Sequence, residues 1–279
     1  MISFVGAGPG AADLLTLRAA DRLANADVVI WASSLVPAEI LDHAGPDATI
    51  HDSAGMTLED VFALYEAQPD AARIVRLHSG DLSLYSAVQE QIDWCTLHGR
   101  TFELVPGVGS LAAAAAAIGR ELTVPEVAQS IVATRLAGRT KASMPDRETV
   151  AGFAAHRTTM AVYLSGARPE ALRDELLADG AGYPPETPAV VVVRASWPDE
   201  QVVATTVAEL PAAIRATGAR TTMLVLVGPA LAAGGTRSLL YDPAYAHGHR
   251  KRSLAGSTEG RAVAPDRRRG GTAEKIDPR

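Results

Sequence analysis

The segment Gly6-Ala7-Gly8-Pro9-Gly10 follows a strand-like run, Ile2–Val5. Glycines at this spacing let a backbone approach a ligand closely. With Ala11 the segment fits the Gly-x-Gly-x-x-Ala pattern, in which a helix amino end meets a pyrophosphate. NAD-dependent oxidoreductase chemistry is therefore one reading. Two features weigh against it. Pro9 has no N–H to offer an anion. The acid expected to take a ribose hydroxyl is also missing, since the next strand ends Trp31-Ala32-Ser33 and Asp27 precedes it. A tight turn of purely structural use is a further reading. Two similar loops follow later strands: His78-Ser79-Gly80-Asp81 and Pro106-Gly107-Val108-Gly109. An ionised Asp81 only accepts hydrogen bonds, so it suits a cofactor amine or hydroxyl. It suits equally well the N-cap of a helix that the pattern predicts over 84–97. The single cysteine, Cys95, allows neither an internal disulfide nor a cysteine metal cluster, so no zinc or iron–sulfur site is expected.

These loops need strands behind them. Apolar runs predict strands over 2–5, 28–31, 74–77 and 102–105. Helical spacing appears over 14–24 (with Asp13 as its cap), 39–44, 58–67, 84–97 and 110–118. Strands alternating with helices imply an open, mostly parallel α/β sheet in a first domain, residues 1–120. The pattern then changes. Strands are expected over 130–134, 159–164, 190–194, 201–206 and 222–227. Those at 190–194 and 201–206 read as a hairpin, and helices are expected over 169–178 and within 207–217. This implies a second α/β domain, residues 121–244, with a mixed sheet.

Apolar residues make up 47% of the 279 residues, enough for a sizeable core, and aromatics only 5%, so that core is built of Ala, Val and Leu. The longest relevant apolar run, 111–118, falls far short of the ~20 residues that span a bilayer. The start lacks a secretory pattern. A cytoplasmic protein with no membrane partner is expected. The net charge is −6, yet residues 245–279 hold nine Lys/Arg against four Asp/Glu. A basic tail raises nucleic-acid binding as an alternative. Its Gly, Ser and Arg content reads more simply as a disordered, solvated extension, with no nucleic-acid partner.

Val5-Gly6-Ala7-Gly8-Pro9-Gly10 and Asp13-Leu14-Leu15-Thr16-Leu17-Arg18-Ala19 together resemble the opening of the tetrapyrrole methylases. Arg76-Leu77-His78-Ser79-Gly80-Asp81-Leu82-Ser83-Leu84-Tyr85-Ser86-Ala87 and Val105-Pro106-Gly107-Val108-Gly109-Ser110 resemble that family's next two loops, in order and at plausible spacing over residues 1–230. Further segments look closer to one branch, with another methylase of the same fold, acting on a different tetrapyrrole, as the alternative: Ser33–Val36, His51–Glu59, Gly119–Val127, Thr134–Thr140 and Arg194–Glu200. Two departures stand out. Leu82 replaces a proline, which implies a less rigid loop, and Gly109 replaces a serine.

The resemblance implies a methyltransferase that uses S-adenosylmethionine, held in a cleft between two domains, and a tetrapyrrole substrate. A homodimer is also implied. Cofactor positions carried over are Pro9, Ser79, Gly80, Asp81, Leu84, Gly109 and Ser110, with Leu164, Ser165, Ala195, Thr222 and Met223 on the second wall. The substrate class bears carboxylates, so Arg135, Arg139 and Arg194 (with Lys141) are its expected partners. No metal is implied. The catalytic base stays open among His78, Tyr85, Glu121 and Asp52.

Overall fold

The computed structural model describes residues 1–137, 142, 144–234, 236, 238, 240 and 242. The basic segment 245–279, and with it the tail expected to be solvated, lies outside these residues, as do Arg139 and Lys141.

The first sheet is wholly parallel. Its strands are β1 (Ile2–Gly6), β2 (Val28–Trp31), β3 (Thr49–Asp52), β4 (Ile74–His78) and β5 (Phe102–Val105), in the order β3-β2-β4-β1-β5. Alternate side chains face opposite layers, and both layers are apolar. Val5, Val29, Val75 and Leu77 pack with Ala19 and Leu23 of α1 (Leu17–Ala24). Ile2, Phe4, Ile30 and Ile74 pack with Val61 and Tyr65 of α2 (Leu58–Glu66) and with Cys95 of α3 (Gln89–Leu97). Cys95 is thus a buried packing residue.

Three expectations need correction. The first helix begins at Leu17 and not at 14. Its cap is Thr16, whose hydroxyl accepts the Ala19 N–H at 3.2 Å, whereas Asp13 sits in a separate 3-10 turn. The helix expected over 84–97 begins at Gln89 after Val88, because Tyr85 and Ala87 hold left-handed backbone at φ 56° and 50°. Asp81 is therefore no helix cap. The segment 39–44 is a 3-10 turn, Ala38–His43. Strand β3 was not expected at all.

After β5, helix α4 (Ser110–Ala117) leads away from the first sheet. Its small residues pack on one face of a second sheet, with Ala114 against Ala161, Val192, Leu224 and Leu226. That sheet runs β6 (Ile131–Arg135), β7 (Thr159–Tyr163), β10 (Met223–Val227), β8 (Pro188–Val193), β9 (Gln201–Thr206). Only β6 and β7 are parallel, and β8 and β9 form the expected antiparallel pair. The other face carries α5 (Val150–Ala154), α6 (Pro169–Leu177) and α7 (Leu210–Ala216). Helix α5, five residues long, was also not foreseen.

Strand β1 connects toward β2 on one side and β4 connects to β5 on the other, so a crevice opens between their carboxyl ends. There three loops meet main chain to main chain. Gly8 and Gly80 exchange two hydrogen bonds, of 3.1 and 2.7 Å. A Cβ on Gly107 would stand 2.2 Å from the Gly80 carbonyl oxygen and 2.7 Å from that of Gly6. Neither oxygen can move without breaking the sheet ends. Gly107→Ala is therefore expected to cost about 3 kcal/mol of stability, the upper range for overpacking. Urea unfolding of the variant beside the parent chain checks this.

Candidate functional site

The loops after β1, β4 and β5 face the ends of β7, β8 and β10 across a cavity of about 960 Å3. Every carried-over cofactor position lines it. Pro9 comes from the first loop, and Ser79, Gly80, Asp81 and Leu84 from the loop after β4. Gly109 and Ser110 open α4. Leu164 and Ser165 follow β7, Ala195 follows β8, Thr222 precedes β10 and Met223 begins it. Leu111, Ala112, Ala115, Val192 and Leu224 make the walls largely apolar.

The first loop is no anion cradle. The Gly8 N–H is bound to the Gly80 carbonyl, the Ala7 N–H to His78, and the Ala11 N–H to the Ser196 hydroxyl at 3.0 Å. Helix α1 starts too late to aim its amino end at the loop. These engagements remove the geometric basis of the dinucleotide reading. The loop instead supports the second sheet: Trp197 donates its indole N–H to the Pro9 carbonyl at 2.8 Å and lies against Gly10, where a Cβ would stand 2.2 Å from the ring.

Asp81 has a definite local role. One carboxylate oxygen accepts from the Ser83 hydroxyl and from the Ser83 N–H at 2.8 Å, and the other from the Gly107 N–H at 3.3 Å. Partial burial opposes ionisation, but these bonds, with the Leu82 N–H, prevail and hold its pKa below the usual carboxylate range. The loop also carries a 2.6 Å bond from the Ser86 hydroxyl to the Leu82 carbonyl, and Leu82 itself is buried in the first core. A leucine in place of proline is thus compensated by side-chain bonds and burial.

Beneath the sheet a buried polar row grips the same loop. His78 Nδ1 lies 3.1 Å from the Ser86 carbonyl, which only accepts, so Nδ1 carries the proton. Gln91 donates to the Ala87 carbonyl at 3.0 Å and accepts from the Tyr65 hydroxyl at 2.8 Å. His78 Nε2 is buried and unpartnered. Burial, and then the Arg76 charge beside it, lower the His78 pKa to about 3.

Of the candidate bases, only Tyr85 and Glu121 reach the cavity. His78 lies behind the sheet. Asp52 accepts the N–H groups of Ser33 and Ala54, at 3.1 and 2.9 Å, away from the cavity. Burial raises the Tyr85 pKa even against the nearby Arg135 charge. Tyr163 is a wall residue whose ring lies 5.1 Å from that of Tyr85.

The expected carboxylate partners fare differently. Arg194 is no wall residue: it follows β8 in left-handed backbone, φ 49°, and its guanidinium turns to Asp199 at 2.5 Å and to the Trp197 ring at 5.3 Å. Arg135 ends β6 opposite Tyr163 and lies off the cavity wall. Arg139 lies outside the described residues. The arginines that do line the cavity are Arg120 and Arg220, and neither was singled out beforehand. Arg120 stands in a segment that had been read only as a whole, and Arg220 stands two residues before Thr222-Met223. Among the described residues no His/Cys/Asp/Glu group could hold a metal ion, and no helix is long and apolar enough to cross a membrane.

A family model described as Tetrapyrrole (Corrin/Porphyrin) Methylases matches residues 1–211. A precorrin-4 C(11)-methyltransferase from a Sinorhizobium species is 44% identical over 246 residues, covering 88% of this chain and 96% of that protein. The X-ray structure of a cobalt precorrin-4 methyltransferase matches with a TM-score of 0.78 at 39% identity, covering 83% of this chain and 96% of the other. A uroporphyrin-III C-methyl transferase from Thermus thermophilus, complexed with S-adenyl homocysteine, matches with a TM-score of 0.66 at 29% identity, covering 82% and 98%.

His78 is neutral in the fold and titrates near 6.5 once unfolded. The unfolded chain therefore binds the extra proton as pH falls. The stability that His78 contributes is full above about 6.5 and is lost as pH falls from there toward 3, by up to ~1.4 kcal/mol per unit. His78→Asn keeps a donor for Ser86 and has no such titration. Its stability is expected to fall less steeply than that of the parent between pH 6.5 and 5, as read by urea unfolding.

Proposed function

The chain belongs to the tetrapyrrole (corrin/porphyrin) methylase family, and on that premise we propose that it is the methyltransferase that methylates carbon 11 of precorrin-4, or of its cobalt form, in cobalamin biosynthesis. The observation that carries this reading is the single cavity wall assembled from both sheets. It gathers every residue that the family resemblance assigns to the cofactor.

The residues fit S-adenosylmethionine. Apolar Leu111, Ala112 and Leu224 offer a surface for a base, while Ser79, Asp81, Ser165 and Thr222 offer polar partners. Gly80 holds φ 67° and keeps the wall open where a side chain would be strained. When bound, the cofactor supplies a methyl group already activated on a sulfonium. The protein's task is then alignment and exclusion of water. Orienting two reactants can supply roughly 7–11 kcal/mol of a barrier. Asp81 and the glycine contacts hold the wall still, and Tyr85 with Tyr163 closes the gap between the two sheets. The same reading takes the enzyme to be a cytoplasmic homodimer. A monomer in sedimentation would remove that part of it.

Isothermal titration with S-adenosylhomocysteine is expected to show saturable binding, and NAD none. Precorrin-4 with S-adenosylmethionine should yield the methylated product. Absence of both sinks the reading. Asp81→Ala releases Ser83 and Gly107, and should weaken S-adenosylhomocysteine about tenfold, the order of one charged hydrogen bond.

A further inference from the structure

We propose that Arg220, supported by Arg120, binds a carboxylate of the tetrapyrrole at the open end of the cavity. The inference rests on the cavity being a tetrapyrrole methylase site. Arg120 and Arg220 are the arginines among the described residues that line it. Arg120 gives one N–H to the Ala233 carbonyl at 3.2 Å, which leaves its remaining donors. Among the described residues the Arg220 side chain has no hydrogen-bond or ion-pair partner.

Its main chain, by contrast, is fixed on both sides. The preceding turn is closed by the Gly218 N–H to Arg215 and by the Ala219 N–H to the Thr217 hydroxyl at 3.2 Å. The Arg220 carbonyl lies so close to Gly166 that a Cβ there would stand 2.9 Å from it. Thr222 holds φ 53°, and its carbonyl accepts the Arg194 N–H at 2.9 Å. The fixed backbone sets where the guanidinium can reach. Its planar fork matches a carboxylate and gives up less freedom per hydrogen bond than an ammonium would, while the free side chain itself is ordered on binding.

Arg168, beside the wall residue Ala167, is not itself on the wall, and four other arginines are engaged elsewhere. Arg157 donates to the Gly182 carbonyl, Arg173 pairs with Asp174, Arg194 with Asp199, and Arg215 with Glu170. The carboxylates on the cavity wall do not neutralise Arg220 either. Asp81 is held by Ser83 and Gly107, and Glu121 accepts from Thr123 at 3.0 Å.

Two bound molecules would bring carboxylates here: the methyl donor, through its amino-acid end, and the tetrapyrrole, through its acetate and propionate arms. Position favours the second. Arg220 and Thr221 are exposed, whereas Gly80 and Ser165 are buried. A ring with several charged arms keeps them toward water, since an unpaired buried carboxylate is costly.

The test compares Arg220→Gln and Arg220→Lys with the parent enzyme. It reads KM and kcat for precorrin-4, and calorimetric affinities for S-adenosylhomocysteine and for 5′-methylthioadenosine, which lacks the amino-acid end. Expected is a KM raised about tenfold or more in Arg220→Gln, the order of one charge-assisted bond. Arg220→Lys should recover part of it, with kcat and both affinities unchanged. An unchanged KM overturns the proposal. So does a loss of S-adenosylhomocysteine affinity alone, with methylthioadenosine unaffected, which would assign Arg220 to the donor's carboxylate. Failure of the functional reading looks different: the parent enzyme itself would neither bind S-adenosylhomocysteine nor turn over precorrin-4.

Discussion

Three strand ends of the first sheet touch through their main chains, and no side chain stands between them. Gly6 ends β1, Gly80 and Gly107 stand in the loops after β4 and β5, and a Cβ on Gly6 would stand 2.6 Å from the Gly107 nitrogen. Neighbouring strands lie a little under 5 Å apart, so loops leaving adjacent strands ordinarily splay to make room for side chains. Here they stay in contact past the last ladder bond. That contact turns the crevice at the strand-order reversal into a continuous wall. It also places Asp81 where its carboxylate can take the Gly107 N–H.

The second sheet is positioned from that wall. Helix α4 begins at the β5 loop and packs its alanines onto the second sheet, so its start fixes the sheet's distance from the glycine contact. The opposite end is tied through the first loop, by Trp197 on Gly10 and by the Ser196 hydroxyl on the Ala11 N–H. Between these ties, non-glycine residues in left-handed backbone gather around the cavity: Tyr85, Leu164 and Thr222 on its walls, with Arg194 and Ser196 behind. Such conformations cost on the order of 1 kcal/mol each and persist where their surroundings over-determine them. The Arg194–Thr222 backbone bond is one such support.

Most strands were legible because they are short apolar runs closed by glycine or proline. β3 was not. Its residues Thr49-Ile50-His51-Asp52 are largely exposed on an edge, so neither alternation nor an apolar run marks them. The start of α3 was misplaced because Leu84 and Val88 fit helical spacing while Tyr85 and Ala87 take left-handed backbone, which no periodicity reveals. The loops that line the cavity were legible because their glycines announce themselves. The cations were not. Arg194 and Arg220 look alike in sequence, and what separates them is Asp199, five residues after Arg194 on the same hairpin, which holds its guanidinium.

The chemistry of the site follows from what its polar groups are already doing. His78, with a pKa near 3, is a feeble base at neutral pH and stands behind the sheet. Tyr85 and Tyr163 are both raised by burial and stay protonated. Asp81 is ionised, but its oxygens are occupied by the loops that it joins. Each of these groups is better suited to fixing the wall than to moving a proton. For a donor that arrives activated, that is the effective use of them. The barrier then depends on how well a ring carbon is aligned with the methyl, and misplacement of about 1 Å can cost on the order of a hundredfold in rate. Glycine contacts, a buried histidine with one free nitrogen and left-handed residues all reduce stability locally. They are concentrated where loops must not drift.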